Sequence, residues 1–112
     1  MATSFETLRS LVYSSITNSG YAAIGTPLSN GSHAFRLTNA TDGDMFFSLD
    51  GVNANFFLPA GTSLVYDVQT NTQRTNPFLV AQGTQFWAKY TGTAPTKNSV
   101  YLETMYSTVP AF

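Results

Sequence analysis

The chain contains no cysteine. Disulfides, thiolate metal centres and cysteine nucleophiles are therefore excluded. Charge is scarce too: five Lys and Arg meet six Asp and Glu, 10% of 112 residues, against about 25% in an average soluble protein. At a net charge of −1 the basic surplus of a nucleic-acid binder is missing, so no nucleic-acid specificity is expected. No apolar run approaches the roughly 18 residues of a membrane span. The first residues, Met1-Ala2-Thr3-Ser4-Phe5-Glu6, hold neither the basic nor the apolar region of a signal peptide, and no secretion is expected.

What is present is enough to fold one domain. The hydrophobic fraction is 43% and the aromatic fraction 14%. A chain of this length buries roughly 65% of its unfolded surface, and disorder would require lower hydrophobicity with higher charge. Thirty-nine residues are Ser, Thr, Asn or Gln. A weakly charged surface of this kind is poorly protected against association, which suits a subunit of a larger assembly.

The hydrophobic period is two, with turn residues every 10 to 15 positions. Strands are predicted at Leu8–Ile16, Tyr21–Thr26, His33–Asn39, Met45–Leu49, Asn55–Leu58, Ser63–Val68, Phe78–Ala81, Gln85–Thr91 and Ser99–Tyr106. A short helix over Phe5–Val12 competes with the first of these. Gly25 marks a bulge or a close approach, and Asp50-Gly51 a tight turn. Gln69–Asn76 reads as a polar loop. Eight or nine short strands with Gly and Pro turns predict an all-β, antiparallel β-sandwich or small barrel, jelly-roll or immunoglobulin-like. Residues 1–7 are expected as an N-terminal arm, 8–107 as the sandwich and 108–112 as a tail.

Little in the chain points to chemistry. His33 is the only histidine, no Gly-x-Ser-x-Gly elbow accompanies it, and it reads as a strand-start residue. Asp42, Asp44 and Asp50 form the only acidic cluster; the rest of a calcium loop is absent, and turn formation explains Asp42 and Asp50 without a metal. A carboxylate pair for glycoside hydrolysis would need two acids across a cleft. Asn30-Gly31-Ser32 and Asn39-Ala40-Thr41 match the glycosylation pattern as an Asn/Thr-rich chain does by chance. No catalytic residue, cofactor or metal site is assigned.

The aromatic residues carry more. Phe46, Phe56, Trp87 and Tyr101 alternate with the main core residues of their strands. Three explanations are open: further strands cover both faces, the rings form a sugar-stacking platform, or they belong to a subunit interface, where aromatics are enriched and charges depleted. Phe112, after Val109-Pro110, is a candidate anchor in a partner.

Several segments together resemble a known group. They are Ala22-Ala23-Ile24-Gly25-Thr26-Pro27-Leu28, Arg36-Leu37-Thr38-Asn39-Ala40-Thr41-Asp42, Phe47-Ser48-Leu49-Asp50-Gly51, Leu58-Pro59-Ala60-Gly61, Leu64-Val65-Tyr66-Asp67-Val68, Ala81-Gln82-Gly83-Thr84-Gln85-Phe86-Trp87 and Ser99-Val100-Tyr101-Leu102. Across about residues 5–107 this pattern resembles small β-sandwich structural (virion) proteins of tailed bacteriophages. The resemblance implies a particle component, made in the host bacterial cytoplasm and carried in the virion, with no enzymatic residue. Expected partners are copies of itself and other virion proteins: portal, connector, tail or major capsid protein. A neck or head-to-tail connector (collar or adaptor) subunit, assembled as a symmetric ring, is the leading expectation. Capsid decoration, or a carbohydrate- or receptor-binding module of the tail, is the alternative.

Overall fold

The computed structural model describes residues 2–67 and 80–108. Nine strands follow in order: β1 (Ala2–Phe5), β2 (Arg9–Val12), β3 (Ala22–Ala23), β4 (Ala34–Asn39), β5 (Asp44–Ser48), β6 (Phe56–Leu58), β7 (Thr62–Asp67), β8 (Trp87–Thr91) and β9 (Ser99–Thr108). The competing helix over Phe5–Val12 does not form; one 3₁₀ turn, Tyr13–Ser15, closes β2. The expected strand at Phe78–Ala81 falls partly outside the described residues, and within them Val80 makes an isolated bridge to Ser32. The polar loop Gln69–Asn76 and Phe112 lie outside the described residues.

All ladders between these strands are antiparallel, and the pairing is nested. β5 pairs with β6 (Met45↔Leu58), β4 with β7 (Ala34↔Asp67), β3 with β8 (Ala22↔Ala88) and β2 with β9 (Arg9↔Leu102). The chain is thus one long hairpin with its tip between β5 and β6. Alternate pairs fall into two sheets. One sheet runs β2-β9-β4-β7, with β1 beside the far half of β9; the other runs β3-β8-β5-β6. A rolled hairpin distributed in this way over two sheets is the jelly-roll form of the β-sandwich.

Strand alternation decides the core. From β4, Phe35 and Leu37 face in; from β5, Met45 and Phe47; from β9, Val100 and Leu102, all almost fully buried. Phe35 bridges the sheets, with its ring 5.3 Å from Phe86 and 5.8 Å from Phe56 in edge-on contacts. Such pairs contribute about 0.5–1.5 kcal/mol beyond their buried area. Asn39 is the polar exception in this interior. Its amide donates to the Gly43 and Leu58 carbonyls at 2.8 and 3.0 Å, and its oxygen accepts from the Thr41 amide and hydroxyl. Every capacity used this way, it fastens the β4–β5 turn to the end of β6 without leaving an orphaned group.

The first residues are extended, as an arm would be, but they are held by their own chain. Ala2–Phe5 form β1 in register with Met105–Thr108. β4 pairs with β9 only as far as Met105. Beyond that point β1 and β9 continue as a two-stranded ribbon past the end of β4.

Candidate interaction surfaces

The outer face of the four-stranded sheet carries one row in register across β6, β5 and β8. Phe46 on β5 stands between Phe57 on β6 and Lys89 on β8. Tyr21, just before β3, completes the row: the Lys89 ammonium lies 4.7 Å from the centre of its ring. The Phe46 and Phe57 rings are 5.6 Å apart, and Phe57 is 49% exposed. Burial and then the Asp50 charge push the Tyr21 hydroxyl's pKa up. The next row holds Trp87 between Ala23 and Ser48. Here the Asp50–Gly51 turn folds back over the indole. A Cβ on Gly51, whose φ is +76°, would come within 3.1 Å of Trp87 Cε2. Trp87 is half-buried for this reason.

Tyr101 sits on the other side of the molecule. It projects from β9 on the outer face of the five-stranded sheet, opposite Thr38 and Ser10. Trp87 and Tyr101 therefore do not form one platform. Phe56 also departs from its expected facing: it turns inward, packs on the core and meets Phe35 and Tyr66 edge-on. The cause is register. Phe47 is an inward residue of β5, and Phe56 is paired with it. The exposed aromatic of β6 is the adjacent Phe57.

The outer face of the five-stranded sheet presents Ala34, Arg36 and Thr38 from β4 beside Met105, Glu103 and Tyr101 from β9. Phe5 flanks Met105 on one side, and Val65 flanks Arg36 on the other. Phe5 is 69% and Val65 65% exposed. Between them lies an open groove of about 350 Å³. The charged pair on this face, Arg36–Glu103, has a contact of 2.6 Å and is largely solvated.

A polar lock closes the β1–β2 edge of the sandwich. Glu6 and Arg9 point inward and meet at 2.7 Å, both side chains over nine-tenths buried. Arg9 also donates to the Thr26 and Pro27 carbonyls at 2.7 and 3.0 Å. Glu6 accepts from the Ser29 and Asn30 amides and from the Asn30 side chain. Burial alone would raise the Glu6 pKa; Arg9, Ser29 and Asn30 outweigh it, and the carboxyl lies below its ordinary value. The lock clamps the β1–β2 edge to the segment leading into β4. Removing one partner of such a pair costs about 3–5 kcal/mol, because the other charge stays buried. Gly25 is a close-approach point in this lock: with φ at +66°, a Cβ there would sit 2.9 Å from Arg9 Cγ. An Arg and a Glu three apart in a charge-poor chain are the only sequence signal for it.

Of the remaining polar candidates, the three acids are held in hydrogen bonds and His33 is not. The His33 ring is buried, and neither nitrogen has a hydrogen-bond partner among the described residues. Asp42 accepts from the Thr96 side chain and amide and ties two loops together, which holds its carboxyl below the usual carboxylate range. Asp44 accepts from the Ala60 amide at 3.0 Å. Asp50 accepts from the Asn53 and Val52 amides and the Ser48 hydroxyl, each at 2.8 Å, and its pKa is strongly depressed. The three acids serve separate turns. Among the described residues no group of three His, Cys, Asp or Glu side chains is placed to hold a metal ion, and no helix is long and apolar enough to cross a membrane. No protein-family model, curated protein or solved structure matches the chain.

Proposed function

We propose that this chain is a non-enzymatic structural subunit of a tailed-bacteriophage particle, a neck or head-to-tail connector component that assembles with copies of itself as a symmetric ring. The observation that carries the reading is the surface. Phe5, Val65 and Phe57 project from the outer faces of both sheets in a chain with only eleven acidic and basic residues. Exposed apolar side chains with little charge around them are what an assembly buries. The sequence resemblance points the same way. The jelly roll is compatible by analogy, since capsid domains use it, though lectin domains do so too.

Capsid decoration is the second reading. The row Tyr21–Lys89–Phe46–Phe57 favours it, because a single flat face could lie on a shell. A glycan-binding tail module fits less well: Trp87 and Tyr101 are on opposite sides, and Lys89 covers the Tyr21 ring.

Deletion of the gene from its phage separates these readings. A connector subunit predicts filled heads and free tails that fail to join, restored when the chain is supplied in trans. Complete, infectious particles that merely lose heat resistance would overturn the connector reading in favour of decoration. Complete particles that no longer adsorb would favour the glycan module.

A further inference from the structure

The two strands at the centre of the five-stranded sheet present outer-face residues of opposite character. On β9 these are Tyr101, Glu103 and Met105; on β4 they are Thr38, Arg36 and Ala34. The register sets them side by side: Tyr101 with Thr38, Glu103 with Arg36, Met105 with Ala34. One strand therefore forms a ridge of long side chains, with its charge negative. The other forms a floor of two small residues, Ala34 buried and Thr38 half-buried, with its charge positive.

We infer that this face is a contact between two copies of the chain, related by a two-fold axis along the strands between β4 and β9. The inference rests on the subunit reading; a two-fold contact is distinct from the head-to-tail contacts that close a ring. A two-fold axis in that position exchanges ridge and floor. Met105 of one copy then lies over Ala34 of the other, and Tyr101 over Thr38. Glu103 of each copy meets Arg36 of the other, twice over by symmetry. An isologous contact requires such self-complementarity, and one charge of each sign, placed symmetrically about the axis, supplies it. Phe5 and Val65 flank the ridge and floor and carry apolar surface to the edges of the contact. The Arg36–Glu103 pair of the single chain is solvated and contributes little to folding. Its residues are therefore available to change partner at small cost.

Charge exchange tests this contact. The purified full-length chain is expected to show a concentration-dependent shift from 12.1 kDa to twice that mass in sedimentation equilibrium. Arg36→Glu and Glu103→Arg should each weaken the dimer at least about tenfold, since each sets like charges against each other at two points. Far-ultraviolet circular dichroism verifies that both variants remain folded. Mixing the two single variants should restore the doubled mass, because the heterodimer recovers both opposite-charge contacts. A role confined to one chain would give no such rescue. A wild-type chain that stays monomeric at every accessible concentration overturns the inference. Self-association that ignores both substitutions overturns this face, while leaving the subunit reading intact. A rescue in the mixture confirms the exchange.

Discussion

Glu6 is the residue whose surroundings translate most directly into a measurable property. Its carboxylate is buried, bonded to Arg9 and to three N–H donors, and its pKa lies below the ordinary value of 4.5. A carboxyl depressed on folding stabilises the protein above its unfolded pKa, and that contribution is lost as pH falls through the folded value. Glu6→Gln should therefore flatten the acid side of a plot of melting temperature against pH. Parallel curves for the two proteins would show that Glu6 titrates alike in the folded and unfolded chain. Gly51 offers a second test. At φ +76°, with Trp87 Cε2 3.1 Å from a built Cβ, Gly51→Ala should cost about 1–2 kcal/mol. Because Trp87 is the only tryptophan, the lifted turn should also shift its emission to the red. These contacts were unequally visible in the sequence. Asp50-Gly51 is a turn signal in any context. The inward facing of Arg9 and Phe56 depends on register, and register is set by distant strands.

At the level of elements, alternation in the sequence marks the faces of the long strands well. His33–Asn39 and Ser99–Tyr106 bury Phe35, Leu37, Val100 and Leu102 and leave Arg36 and Glu103 wet, as their spacing indicates. Asn55–Leu58 forms a strand, β6, but its facing is not legible, because two adjacent phenylalanines in a three-residue strand supply no period. The nesting of β2 with β9 across some ninety residues is invisible to local patterning, since any of several strand orders satisfies the same faces. β1 shows the same limit: Thr-Ser-Phe is too short to distinguish a strand from an arm. Its role can be measured by truncation. A chain lacking residues 1–5 keeps the Glu6–Arg9 lock and both β9 ladders to β2 and β4. Removing β1 should lower the melting temperature by several degrees, about 4–8 °C per kcal/mol for a domain of this size, with the near-ultraviolet spectrum of the core unchanged. Loss of cooperative unfolding would instead make β1 part of the core.

For the whole molecule, stability and association draw on different surfaces. The interior is closed by Phe35, Phe47, Phe86 and their neighbours, with Asn39 fastening the β4–β5 turn to β6 and the Glu6–Arg9 lock holding the β1–β2 edge. The outer faces leave apolar side chains in water that the fold does not need exposed. In a chain so short of charge these are the surfaces that the proposed assembly would bury. The most direct measurement is a localised cryo-electron microscopy reconstruction of the intact phage particle, with the jelly roll fitted to each symmetric layer. The account predicts that the sandwich fills a ring at the portal vertex. Density on the capsid lattice would contradict the connector assignment, and particles without this fold anywhere would contradict the subunit account itself.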